Sequence, residues 1–190
     1  MKQMKDLKRF SKEWWNNYWF YYKWHTIAGL FVLALIIGTI VDVVTRINPD
    51  IDIMVASQYV FADEHVEEIK AKISEIIEDT NNDGRKTVQM SLLNTSTEPK
   101  DEMQIASQQK LYLEFAAGDS FIFFMDRELY EVYNGDDLFI ELKDGQSFVY
   151  AKEIFDFMTD DMVMCVRVQR TKEKADYENT QRVIDAFIGD

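Results

Sequence analysis

The chain has 190 residues and a formal charge of −13, from 34 acidic and 21 basic side chains with two histidines. Residues 1–46 hold seven basic and three acidic side chains, or +4, so the remainder carries −17. That balance argues against a nucleic-acid partner, because an acidic surface repels phosphates and no basic patch offsets it, and the single cysteine, Cys165, excludes an intrachain disulfide.

Residues 1–24 form a basic aromatic arm. Lys2, Lys5, Lys8, Arg9, Lys12 and Lys23 are interleaved with Trp14, Trp15, Tyr18, Trp19, Phe20, Tyr21, Tyr22 and Trp24. Rings with one polar edge suit the headgroup layer of a membrane. A plain aromatic flank is the favoured reading, with an interfacial helix over 2–24 as the alternative. His25–Val41 then reads HTIAGLFVLALIIGTIV, seventeen residues without a formal charge. A bilayer-crossing helix needs about 20 apolar residues, and the spacing predicts a transmembrane helix over 25–46. Lipid offers a backbone no water, so such a stretch crosses only as a helix. A cleavable signal peptide would have a shorter apolar core and a small-x-small site, which Val41–Val44 does not supply, so a retained signal anchor is expected. Basic residues stay in the cytoplasm, which puts the N-terminus inside and residues 47–190 outside. Ala34 and Gly38 have the spacing of close helix packing, a weak signal for a dimer.

Residues 47–190 are enough for one compact domain. Ile51–Ser57 (IDIMVAS) alternates and reads as a strand. Asp63–Glu78, with Asp63 as cap, places Val66, Ile69, Ile73, Ile76 and Ile77 at helical spacing. Asp79–Gly84 is a polar loop and Thr87–Leu93 a second strand. Asp101–Ala117 reads as a helix with Ile105, Leu111, Leu113 and Phe115 among its apolar residues, stopped by Gly118. Ser120–Met125 (SFIFFM) is the run of a strand covered on both faces. A short helix follows over Arg127–Tyr133, then an extended Leu138–Leu142 and a helical turn in Lys152–Met158. A last strand, Met162–Val168, precedes a last helix, Lys174–Ile188. Alternating strands and helices predict an α/β fold, a mainly parallel sheet with helices on both faces. Cys165, inside MVMCVRV, reads as a packed core thiol. An exported domain without disulfides suits a bacterial cell surface, where the Asn94-Thr95-Ser96 glycosylation triplet has no meaning.

The stretch Gln108–Leu142, QQKLYLEFAAGDSFIFFMDRELYEVYNGDDLFIEL, carries Ala116, Ala117, Gly118, Asp119, Asp126 and Leu138. It resembles the first lobe of extracellular solute-binding proteins of ABC importers, in which a helix ends in an "aelaaGd" phrase before an apolar strand ending in Asp. The whole chain also looks like small single-span proteins of Gram-positive anaerobes with a YYKWH-like arm (here Tyr21–His25), an anchor and one such lobe. The resemblance implies a single periplasmic-binding-like lobe over residues 50–190. A solute-binding protein closes two lobes over its ligand; this chain has the length of one and keeps a span in place of a lipid-anchor cysteine, so capture by hinge closure is not expected of a monomer.

Asp79, Asn81 and Asp83 with Gly84 match the first half of a calcium loop, D-x-N-x-D-G. The position that should be a bidentate Glu is Met90, so weak calcium binding or a plain polar turn are the two readings; no other cofactor is expected. In doubly wound sheets ligands sit beyond the carboxyl ends of strands. Ser57, Gln58, Asn94, Thr95, Asp126 and Arg127 fall there; Ser57, Asn94 and Asp126 are the ligand-binding candidates, with helix capping as their alternative role. His25 and His65 are too far apart in the chain's organisation to share a site. No CxxC, HExxH, GxSxG or phosphate loop occurs, so no catalytic residues are assigned. The expected function is a non-enzymatic, membrane-anchored interaction or ligand-sensing module, with membrane lipid and a membrane or cell-surface protein as partners. A solute-binding-like accessory of an ABC-type transporter and a cell-envelope hydrolase are the alternatives.

Overall fold

The computed structural model describes residues 11–45, 48–135, 138–169 and 175–189. The basic residues Lys2, Lys5, Lys8, Arg9, Arg46 and Lys174 lie outside these. The chain divides into two compact units, Met1–Ile47 and Asn48–Asp190.

In the first unit one helix, α1, runs unbroken over Lys12–Thr45. Residues 12–24 therefore continue the same helix as the apolar stretch and do not form a separate element. Trp14 stacks on Tyr18 and Tyr18 on Tyr22, both at 5.5 Å between ring centroids. The i,i+4 spacing puts these rings on one face. Thr26 and Thr39 return their hydroxyls to the carbonyls of Tyr22 and Leu35, at 3.0 and 2.8 Å, which hides a polar group within the helix's own backbone. Ile27, Leu30, Phe31, Leu35, Ile36 and Ile40 are exposed. Trp14–Val41 is long and apolar enough to cross a membrane.

The second unit is an α/β fold. Its elements are β1 (Ile51–Ser57), α2 (Asp63–Ile76), β2 (Val88–Asn94), α3 (Glu102–Ala117), β3 (Ile122–Asp126), α4 (Arg127–Tyr133), β4 (Val149–Tyr150), β5 (Met162–Val166) and α5 (Ala175–Ile188). The strands form one sheet in the order β2-β1-β3-β5-β4. Side chains alternate across each strand. Ile51, Ile53 and Val55 of β1 and Ile122 and Phe124 of β3 join Ile69 and Ile73 of α2, Ile77 just after it and Val183 from α5. Met54 and Ala56, with Phe123 and Met125, join Leu111 and Phe115 of α3 and Leu129 of α4 on the opposite face. Helices thus cover both faces, which is why β3 as far as Met125 and the whole of β5 are apolar, and both strands are buried throughout. Truncating Phe123 or Phe124 to Ala would cost about 3–5 kcal/mol.

The sheet is mixed, where the alternation of elements predicted a mainly parallel one. β1 pairs parallel with β2 and β3, but β5 lies antiparallel to β3 and β4 antiparallel to β5. A parallel return needs a crossover of a dozen or more residues across the sheet. β4 and β5 are instead joined by residues 151–161, which hold one 3-10 turn at Ala151–Glu153, so β5 turns back beside its neighbour. Leu138–Leu142 forms no strand; Phe139 makes an isolated bridge to Arg167.

Local details also differ. Asp63 is the first residue of α2 and not its cap, which is Ala62. Of the apolar residues named in α3, Leu111 and Phe115 are buried and Ile105 and Leu113 exposed. Gly118 ends α3 at φ −82°, so no left-handed cap requires it. A Cβ there would lie 2.0 Å from the Glu114 carboxyl carbon, and that carboxylate accepts the Ser120 N–H at 2.9 Å. Arg167, buried, caps the same helix by donating to the carbonyls of Glu114, Phe115 and Gly118.

Candidate functional site at the carboxyl end of the parallel strands

β1, β2 and β3 run in one direction and end together, so Ser57, Asn94 and Asp126 meet. Ser57 and Asp126 are buried. The Ser57 hydroxyl donates to Asp126 Oδ1 at 2.8 Å, and the Gln58 N–H donates to Oδ2 at 2.9 Å. The Tyr59 N–H donates back to Ser57 Oγ at 3.0 Å. Asn94 Nδ2 donates to the Gln58 carbonyl at 3.1 Å, and its Oδ1 accepts from Gln104 Nε2 at 3.2 Å. The Thr95 N–H donates to the Ser57 carbonyl at 3.0 Å. The candidate residues are thus one hydrogen-bonded cluster. Asp126 sits at the N-cap position of α4, but its side chain makes no capping bond; it holds the β1–α2 loop instead.

Burial pushes the Asp126 carboxyl above its ordinary range, against the Gln58 N–H and Ser57 hydroxyl that favour the charged form; Glu128 and Asp161 add to the rise. Arg127 turns outward. Its Nε pairs with Glu131 at 3.0 Å and its Nη1 with the Tyr150 hydroxyl, above the rings of Phe148 and Tyr150. A cleft of about 170 Å³ lies here, lined by Gln58, Tyr59, Asp126, Arg127, Glu128, Glu131 and Asp161. A second, of about 110 Å³, lies against Ser57, Tyr59, Val60 and Asn94. Both are smaller than the roughly 300–1,000 Å³ of pockets that enclose a metabolite. Glu128, Glu131, Tyr59 and Asp161 went unremarked in the sequence; the one local signal was Arg127 and Glu131 at i,i+4.

The calcium-like loop has its oxygens turned on its own backbone. Asp79 Oδ2 accepts the Gly84 N–H at 2.8 Å, Asn81 Oδ1 the Asp83 N–H at 2.8 Å, and Asp83 Oδ1 the Arg85 N–H at 2.8 Å. Gly84, at φ +82°, takes the left-handed conformation the turn requires. Asp79, Asn81 and Asp83 are the residues that would hold a cation; among the described residues no group of three or more His, Cys, Asp or Glu is gathered for one.

A second polar knot has no counterpart in the reading of the sequence. Asp50, fully buried, accepts at Oδ1 from the Thr80 N–H at 2.8 Å and hydroxyl at 3.0 Å, and at Oδ2 from the Thr87 N–H at 2.7 Å. Burial raises its pKa, but the N–H groups of Thr87, Thr80 and Asn81 with the Thr80 hydroxyl outweigh that and hold the carboxyl below its ordinary range. Asn179 of α5 bonds the carbonyls of Asp50 and Glu78 at 3.0 and 2.9 Å and accepts the Glu78 N–H at 2.9 Å. The available signal was an Asp directly before a strand.

The exposed side of α3 carries Ile105, Tyr112 and Leu113 among polar residues. Tyr112 and Leu113, each 64% exposed, border an open depression of about 450 Å³ with Gln108, Gln109 and Tyr133. No protein-family model, curated protein or solved structure matches the chain.

Proposed function

We propose that the chain is a single-pass membrane protein, N-terminus in the cytoplasm, whose acidic α/β unit works outside as a non-enzymatic interaction or ligand-sensing module. One observation carries this reading. The polar groups at the strand ends are spent on one another, since Asp126 binds Ser57 and Gln58 while Asn94 binds Gln58 and Gln104. What they leave open is a shallow shelf. The outward side of α3, with Ile105, Tyr112 and Leu113 exposed, supports contact with a membrane or cell-surface protein, because soluble surfaces rarely keep such patches bare. A photoreactive residue at Tyr112 or Leu113, in native membranes, should give a discrete protein adduct that the same residue at Lys152 does not. Equal, diffuse labelling at all three sites would remove the interaction reading.

A second reading is a solute-binding-like accessory of an ABC-type transporter, favoured by Ser57, Asn94 and Asp126 meeting beyond the carboxyl ends of parallel strands. An open shelf lets water compete for each polar contact. Amino acids, sugars and short peptides should therefore bind no tighter than about millimolar, about −4 kcal/mol, by calorimetry on the purified chain. Micromolar binding weakened by Asp126→Ala would put the transport reading first.

A further inference from the structure

β2 is an edge of the sheet, and its outer side is an unguarded template. Among the described residues, in the order β2-β1-β3-β5-β4, only β1 pairs with it. The Asp50 N–H donates to the Thr87 carbonyl and the Thr95 N–H to the Ser57 carbonyl. By alternation, residues 87, 89, 91, 93 and 95 direct their backbone groups to β1. Val88, Met90, Leu92 and Asn94 therefore turn their N–H and C=O outward, and among the described residues no hydrogen bond to these groups is made. Natural edges are protected by Lys, Pro, a bulge or a covering element. VQMSLLN has no charge and no proline, and Leu92 is 46% exposed.

We infer that β2 pairs antiparallel with β2 of a second copy, centred on Ser91, to make one continuous ten-stranded sheet across a two-fold axis. This goes beyond the proposed function and does not depend on it. The register follows from complementarity. Centred on Ser91, all four outward residues find partners: Val88 faces Asn94 of the copy and Met90 faces Leu92. The exposed Leu92 side chain is covered by an apolar cross-strand neighbour, the unit of sheet stabilisation. Charge fits the same pairing. Arg85 and Lys86, exposed at the start of β2, lie beside Ser96–Glu98 of the copy, with exposed Glu98 one step diagonal to Lys86. A parallel pairing would instead set Arg85 and Lys86 beside their own kind. A self-complementary patch is what a two-fold dimer requires.

Ser91 meets its own copy at a non-hydrogen-bonded position, where Cα atoms lie about 4.5 Å apart and a disulfide can form. Full-length Ser91→Cys in native membranes with mild oxidant should give a species at twice 22.4 kDa, at least tenfold above the background of Gln146→Cys at an exposed turn. Cys165 is buried and stays out of the exchange. Leu92→Pro removes an outward N–H and the exposed leucine side chain and leaves the groups that bond β1 in place, so added to Ser91→Cys it should cut the cross-link at least tenfold. Leu92→Lys, which keeps every backbone group, should do the same if the proline variant does not fold. No cross-link above background, or one that both Leu92 variants leave unchanged, overturns the inference. So does an adduct of another mass, which would show a strand of a different protein on this edge.

Discussion

The Ser57 hydroxyl and the Asp126 carboxylate meet at 2.8 Å across 69 residues of chain and join the ends of β1 and β3. Their pairing makes Asp126 a structural acid whose charge is only partly compensated, since burial lifts its pKa despite both hydrogen bonds.

A group whose folded pKa is raised contributes stability below its unfolded value and loses it as pH climbs through the folded value. Asp126→Asn should therefore gain on the native chain as pH rises above the unfolded value of 3.8, as ionised Asp126 becomes the costlier form. Urea unfolding of the second unit at stepped pH reads this. A pH-independent difference between the two proteins would refute it. Asp126→Ala, which strands the Gln58 N–H, should cost about 1–3 kcal/mol at any pH.

Asp50 has the opposite sign. Its folded pKa is lowered, so its contribution is present above the unfolded value of 3.8 and lost as pH falls through the folded value. Asp50→Asn would point an amide at the Thr87 N–H, now 2.7 Å from Oδ2. The expected loss is about 2–3 kcal/mol at neutral pH, shrinking in acid. The same pH-stepped denaturation decides between the two carboxylates, because their trends run in opposite directions.

In the 79–84 loop the side-chain oxygens already hold N–H groups, so Asp79→Ala should cost about 1–2 kcal/mol with or without calcium. Gly84→Ala, forced to φ +82°, should cost about 1 kcal/mol. Thermal melts in millimolar calcium and in chelator are the check. A calcium-dependent rise in Tm that Asp83→Ala abolishes would establish cation binding there by mass action.

Both buried clusters lie within Asn48–Asp190. Residues 48–190 expressed alone should then stay soluble and give a cooperative melt, while chains retaining α1 require detergent. On cells stripped of their wall, protease should digest residues 50–190 and spare the N-terminal arm. Full protection of the second unit would reverse the proposed orientation.

Much of the element order was legible because each signal is local. Ile51–Ser57 and Arg127–Tyr133 fall where alternation and turn residues set them. Asp101 caps α3 by accepting the Gln104 N–H at 2.8 Å, as a polar residue before a helical run does. The apolar residues of α3 fall on two sides of the helix, and only packing chooses between them. Leu111 and Phe115 face the sheet, and Ile105 and Leu113 are left outside.

By itself the sequence determined an apolar N-terminal helix, an acidic α/β unit after it and the positions of Ser57, Asn94 and Asp126 at or beside strand ends, because hydrophobic period and turn residues are short-range properties. Tertiary structure alone decided that β5 runs antiparallel to β3 and β4, that Asp126 binds the β1–α2 loop and not its own helix, and that Asp50 and Asn179 knot four segments together. Those outcomes depend on contacts across 69, 37 and 129 residues. A hydrogen bond over such a distance leaves no periodic trace in the chain, since its partners are brought together only by the burial of everything between them.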